Sequence, residues 1–188
     1  MRLTRNQGTS ARALATAWCV CVLAALAQGG QAAKPAPPVW KDYASSDGRF
    51  AISMPGDPTV SSGTTQTDLG PLVLHTTSVT GDDIYCSVIY QDTPEGLKRS
   101  ADDILTRQCD GFVQGAHVRE IVARRDVTVE GFPGRELEGE TADGNFRILV
   151  RYIVVGHRIF TLVIGVPIDE TDGQRAARFV GSFRLVSV

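Results

Sequence analysis

The chain has 188 residues, 43% of them hydrophobic, with 19 basic against 21 acidic side chains for a net charge of −2. The basic residues before Lys34 are Arg2, Arg5 and Arg12, with no acidic residue among them, which leaves residues 34–188 with 16 basic and 21 acidic groups, a net charge of −5. Scattered charge of that sign excludes nucleic acid and anionic lipid surfaces as partners, because both need concentrated Lys and Arg.

The first 33 residues have the three parts of a secretory signal peptide. Arg2, Arg5 and Arg12 form a basic n-region, Ala13 to Ala27 is an unbroken low-polarity run, and Ala25-Leu26-Ala27 and Gly30-Gln31-Ala32 are small-residue cleavage candidates. The run is short for a bilayer core of about 30 Å, which takes about 20 residues. The expectation is therefore export without a stable membrane span after cleavage; the alternative is an uncleaved anchor. Cys19 and Cys21 lack a lipid-attachment setting, and no twin arginine is present. Residues 34–39 read as a Pro-rich linker, and 40–188 as one domain large enough for a real core. Of the 16 basic residues after position 33, 13 are Arg, which matches the codon bias of a GC-rich bacterial genome.

Trp40 opens the structured sequence. Arg49 to Met54 alternates with period two between Asp47-Gly48 and Pro55-Gly56-Asp57-Pro58, predicting a strand between turns. Further strands are predicted over 59–66, 71–80 and 83–91. From Pro94 to Gly115 the period changes: Leu97, Ala101, Ile104, Leu105, Cys109 and Phe112 recur at helical spacing, with Lys98, Arg99, Asp102, Asp103 and Arg107 outside. Strands resume over 118–129, 133–142, 145–155 and 158–166. A short helix over 171–180 faces inward through Ala176, Phe179 and Val180, and Phe183 starts the last strand.

Two cysteines remain after the signal, Cys86 on a predicted strand and Cys109 on the apolar side of the following helix. In an exported domain such a pair reads as a structural disulfide, whose loop closure stabilises by about 3 kcal/mol in the chain-entropy model. The alternative is two buried free thiols.

Asp143-Gly144 is a strong hairpin signal. With that turn, Ala142 pairs with Asn145, Glu140 faces Arg147 and Glu136 faces Arg151. Of the alternate acids Glu136, Glu138 and Glu140, two then face arginines, which reads as cross-strand ion pairing rather than a metal or acid–base site. Gly156-His157 makes the next turn, and 148–155 and 159–166 are apolar on both faces apart from Arg151 and Thr161, as strands in the middle of a covered sheet are.

Motifs for chemistry are weak. There is no G-x-S-x-G elbow, and His75, His117 and His157 fall in an alternating strand, a strand entry and a turn. No ligand spacing suits zinc or calcium, and no glycine motif suits a phosphate, so no catalytic residue, metal or cofactor is expected. Asp82-Asp83 and Asp102-Asp103 are neighbours whose side chains diverge, so they read as solvated charges. The acids from Asp169 to Asp172 open the last helix, where they complement its dipole. Trp40 and Tyr43 are the candidates for a binding surface, against the simpler role of covering the core's edge.

Trp40-Lys41-Asp42-Tyr43 with Asp47-Gly48-Arg49-Phe50-Ala51-Ile52, Gly131-Phe132-Pro133-Gly134-Arg135-Glu136, Arg151 to Phe160, and Ala177 to Phe183 together resemble small exported bacterial proteins and the Mog1/PsbP-like group. That resemblance implies an α+β domain, an antiparallel sheet with helices packed against it. Members of the group stabilise a photosynthetic complex, regulate a small GTPase or serve envelope lipid traffic, so the resemblance implies binding or assembly rather than catalysis. The expected function is an exported, non-enzymatic accessory protein of the cell envelope that binds a protein partner or a small apolar ligand. The alternative is a periplasmic immunity protein against a delivered toxin. An envelope hydrolase comes third, and would need an uncovered pocket with His75 or His117 beside a carboxylate.

Overall fold

In the computed structural model, which describes residues 38–67, 70–94, 96–115, 118–170 and 173–186, the two strands apolar on both faces lie at the centre. They are β8 (Phe146–Val155) and β9 (Arg158–Pro167), in a seven-stranded sheet of order β3-β4-β5-β9-β8-β7-β6. Its other strands are β3 (Thr59–Thr67), β4 (Gly70–Thr80), β5 (Tyr85–Asp92), β6 (Val118–Val129) and β7 (Phe132–Thr141), and every pairing is antiparallel. A small second sheet joins β1 (Lys41–Ser45), β2 (Phe50–Met54) and β10 (Arg184–Leu185) in the order β1-β2-β10. β1 has no apolar alternation to betray it; it forms by pairing with the edge of β2. The expected signal peptide of residues 1–33 and residues 34–37 of the expected 34–39 linker lie outside the described residues.

Period-two alternation gives the large sheet two buried faces. On the first, Val88, Ile153, Leu162 and Ile164 pack under β2 and the C-terminal helix α2 (Gln174–Gly181), which contribute Phe50, Ile52, Met54 and Phe179. On the second, Leu137, Val150, Tyr152 and Val163 pack under helix α1 (Ala101–Gly115) through Leu105 and Cys109. α1 starts at Ala101, seven residues later than the helical period suggests. Ser100 caps it: its hydroxyl accepts the Asp103 N–H at 3.1 Å and its carbonyl the Ile104 N–H. Asp102 is no free surface charge. It accepts from Arg135 of β7, which also bonds Asp126 of β6 and the Thr106 hydroxyl, pinning α1 to the sheet.

That two-faced arrangement overturns the disulfide. Cys86 and Cys109 are both buried free thiols. Cys86 shares its phase on β5 with Ile84 and Val88, which face β2 and α2; α1 covers the other phase, that of Tyr85. A sheet separates the two sulfurs.

The 143–144 turn forms with the expected register, Glu136 opposite Arg151 and Glu140 opposite Arg147. Gly144 takes φ +71°, which favours a residue without Cβ. The Asp143 carboxylate closes the turn by accepting from the Thr141 hydroxyl (2.5 Å) and from the Asn145 backbone (3.1 Å) and amide (2.9 Å).

Candidate functional site

Four strands place their first-face side chains in one row beside α2. Arg125 comes from β6, Glu136 and Glu138 from β7, Arg147, Leu149 and Arg151 from β8, and Ile164 and Val166 from β9. Ala176, Ala177 and Val180 of α2 stand over them, and a cavity of about 350 Å³ opens between helix and sheet. One side is apolar and the other is a wall of guanidinium and carboxylate groups. The volume falls at the small end of the range that ligand pockets occupy, about 300–1,000 Å³.

The wall is built on Glu136, whose side chain is only 2% exposed. Arg151 Nε and Nη2 approach its Oε2 at 2.7 and 2.6 Å, and Arg125 Nε donates to its Oε1 at 2.6 Å, with Arg125 Nη2 on the same oxygen. A carboxylate this deep persists only when its lone pairs are met by charged donors. Arg151 Nη1 also donates to the Val180 carbonyl at 3.0 Å, meeting an acceptor at the C-terminal end of α2. Next in the row, Glu138 lies 3.9 Å from Arg125 Nη2 and 3.7 Å from Arg147 Nε, outside hydrogen-bond range. Arg147 Nε is buried with no hydrogen-bond partner among the described residues. Glu140, although opposite Arg147 in register, pairs instead with Arg119 at 2.5 Å.

The roof is pinned at both ends. Ser182, after the last turn of α2, accepts the Ser53 N–H from β2 at 3.0 Å and donates to the Phe179 carbonyl. At the first turn, Glu170 accepts the Arg175 backbone N–H (3.2 Å) and its guanidinium, which also reaches Asp83 Oδ2 at 2.9 Å. The expected acidic start of this helix therefore rests on Glu170, while Asp172 lies outside the described residues.

Trp40 and Tyr43 do not line the cavity. Both are partly buried against the first-face core; the Arg178 guanidinium lies 4.7 Å over the Trp40 ring, and Tyr43 tilts against Phe50 at 6.1 Å. Nor do the histidines come to it. His75 stacks on Tyr90 at 4.5 Å, His157 is in the β8–β9 turn and His117 lies outside the described residues. Burial raises the Cys86 and Cys109 thiols above their ordinary pKa, away from the thiolate a nucleophile needs. Among the described residues no three His, Cys, Asp or Glu side chains are placed to hold a metal ion, and no helix is long and apolar enough to cross a membrane. The cavity's chemistry is that of ionic and apolar recognition. The alternation of Glu136 and Glu138 was visible in the sequence, but the part of Arg125 and the roof of α2 was not.

No protein-family model and no curated protein matches the sequence. The solved structure of cyanobacterial PsbP from Synechocystis sp. PCC 6803 superposes with a TM-score of 0.52 at 13% identity, over 84% of this chain and 98% of that one. The fold is Mog1/PsbP-like. Two more distant likenesses are the Ran-binding protein Mog1p of Saccharomyces cerevisiae (TM-score 0.43, 11% identity, 80% and 97% covered) and a Pseudomonas aeruginosa protein of unknown function (0.42, 10%, 73% and 90%). At these identities the likeness defines architecture, and a Mog1/PsbP-like fold by itself names no activity.

Proposed function

We propose that the chain is an exported, non-enzymatic binding protein of the cell envelope whose cavity beneath α2 takes a small ligand with an apolar body. The observation that carries this is the cavity: an apolar side of Leu149, Ile164, Val166 and Val180 and a few convergent polar groups, under a helix tied down at both ends. Pre-formed concave sites of this composition are where small molecules bind. The basic, apolar and small-residue succession of residues 1–33 supports the export part of the reading. A hydrolase is disfavoured because the cavity's titratable groups are Arg and Glu, with the best-placed carboxylate, Glu136, enclosed by two guanidiniums.

A second reading, capture of a protein partner, draws on β3. It is an edge strand of nine residues, TVSSGTTQT, without a charge or a proline to discourage another strand from pairing. Native mass spectrometry of the protein purified gently from its envelope fraction tests both. An added mass of a few hundred daltons supports the ligand reading, and a co-purifying polypeptide supports the second. Consistent recovery as an empty monomer from the cytoplasm refutes both.

A further inference from the structure

The charged wall of the cavity is a chain of alternating charges that ends one member short. Arg151, Glu136, Arg125, Glu138 and Arg147 follow one another across β8, β7 and β6, three guanidiniums to two carboxylates. At the Arg151 end the surplus donor is satisfied by the Val180 carbonyl. At the Arg147 end Nε is buried without a hydrogen-bond partner among the described residues, the Glu138 oxygen beside it stands 3.7 Å away, and the side chain as a whole is 36% exposed, so it can be reached from solvent. Buried polar atoms are almost always met by a partner, and an unmet one needs an explanation. Glu170, which also lines the cavity, is engaged by Arg175 and leaves the surplus of the wall untouched.

We infer that the cavity binds an organic monocarboxylate, its head group on Arg147 and its apolar body against Leu149, Ile164 and Val166 beneath Ala176. One negative charge completes the alternation, whereas a doubly charged phosphate would overshoot it beside Glu138. An arginine fork matches carboxylate geometry and strengthens the bond by charge assistance. The inference rests on the cavity being the ligand site, and the test separates the two.

The probes are octanoate, octanamide and octylamine, titrated into the purified protein by calorimetry and by amide chemical-shift mapping. Octanoate is expected to shift Leu149, Ile164 and Val180 resonances and to bind about tenfold tighter than octanamide, the scale of one charge-assisted hydrogen bond. Arg147→Gln is expected to erase that preference, the larger loss falling on octanoate, and Arg147→Lys, which keeps the charge, to retain part of it. Unchanged thermal midpoints show that both variants fold. Equal binding of octanoate and octanamide, a preference for octylamine, or an unaltered preference in Arg147→Gln overturns the carboxylate while leaving the cavity a ligand site. Failure of all three probes to shift cavity resonances overturns the inference and counts against the site as well.

Discussion

Glu136 should be the most costly single carboxylate to remove from this fold. Glu136→Gln preserves shape but turns a buried acceptor of two guanidiniums into an amide that offers one oxygen and two competing N–H donors. Breaking a buried ion pair by neutralising one partner costs about 3–5 kcal/mol, because the other charge is left uncompensated. Here the two partners differ. Arg151 is 17% exposed and stays tied to the Val180 carbonyl, so it bears the penalty, while Arg125 is 53% exposed and can turn to water. We therefore take the lower end, about 3 kcal/mol. For a domain of about 150 residues that lowers the thermal midpoint by about 6–12 °C. Glu138→Gln is the internal control: its guanidinium neighbours stand at 3.7 and 3.9 Å, and its effect should stay within about 0.5 kcal/mol. Urea unfolding followed by circular dichroism measures both, with an unchanged slope confirming that the native and unfolded ensembles are comparable. Equal costs for the two substitutions would refute the wall as described.

Other consequences follow from single contacts. Cys86 and Cys109 should resist a thiol reagent in the folded protein, and both should react once it is unfolded without reductant; an unreactive unfolded chain would restore the disulfide. Ser100→Ala removes the cap of α1 and should cost about 1 kcal/mol by urea unfolding, and no loss would mean the helix starts elsewhere. Arg158 donates to both Asp92 oxygens at 2.7 and 2.8 Å and thereby holds that carboxyl below its usual pKa. A depressed folded-state pKa contributes stability that is present above the unfolded value and is lost as pH falls through the folded one. Acidification below about pH 4 should therefore weaken the native protein more steeply than Asp92→Asn, and parallel acid limbs would discount the pair.

Much of this fold was legible because strand chemistry is local. The two-sided apolarity of 148–155 and 159–166 correctly announced the middle of the sheet, and Asp143-Gly144 set a register that placed Glu136 against Arg151. What failed was whatever depended on which face another element covers. Ile84, Cys86 and Val88 do share a face, but nothing in their spacing says that α1 packs on the opposite one, against Leu137 and Val150, and the disulfide fell with that choice. The candidate site was lost for the same reason. The pairing of Glu136 with Arg151 is legible from the hairpin register, yet the wall encloses a cavity only because α2 returns across the sheet, and because Arg125 reaches in from β6 past register shifts that break simple pairing arithmetic.

The residues of α2 also explain why space is left there. Its C-terminal half carries Phe179, fully buried in the first-face core, and Val180, so that end sits close on the sheet. Its N-terminal half presents Ala176 and Ala177 toward the wall, and the ties through Ser182 and through Glu170 with Arg175 keep the helix from settling into the gap. A roof already held in place would spare the proposed ligand the ordering cost of binding. It also means that the void can be filled without moving its frame. Ala176→Leu adds an apolar side chain where Leu149 and Ile164 offer a surface, and burying part of it should leave stability unchanged or raise it by up to about 1 kcal/mol. If the cavity is the ligand site, as proposed, the same substitution should abolish small-molecule binding, read as loss of the added mass in its native mass spectrum. A variant that loses more than about 2 kcal/mol would show that the helix already sits as low as its packing allows. One that is stable and keeps its ligand would place the binding site elsewhere.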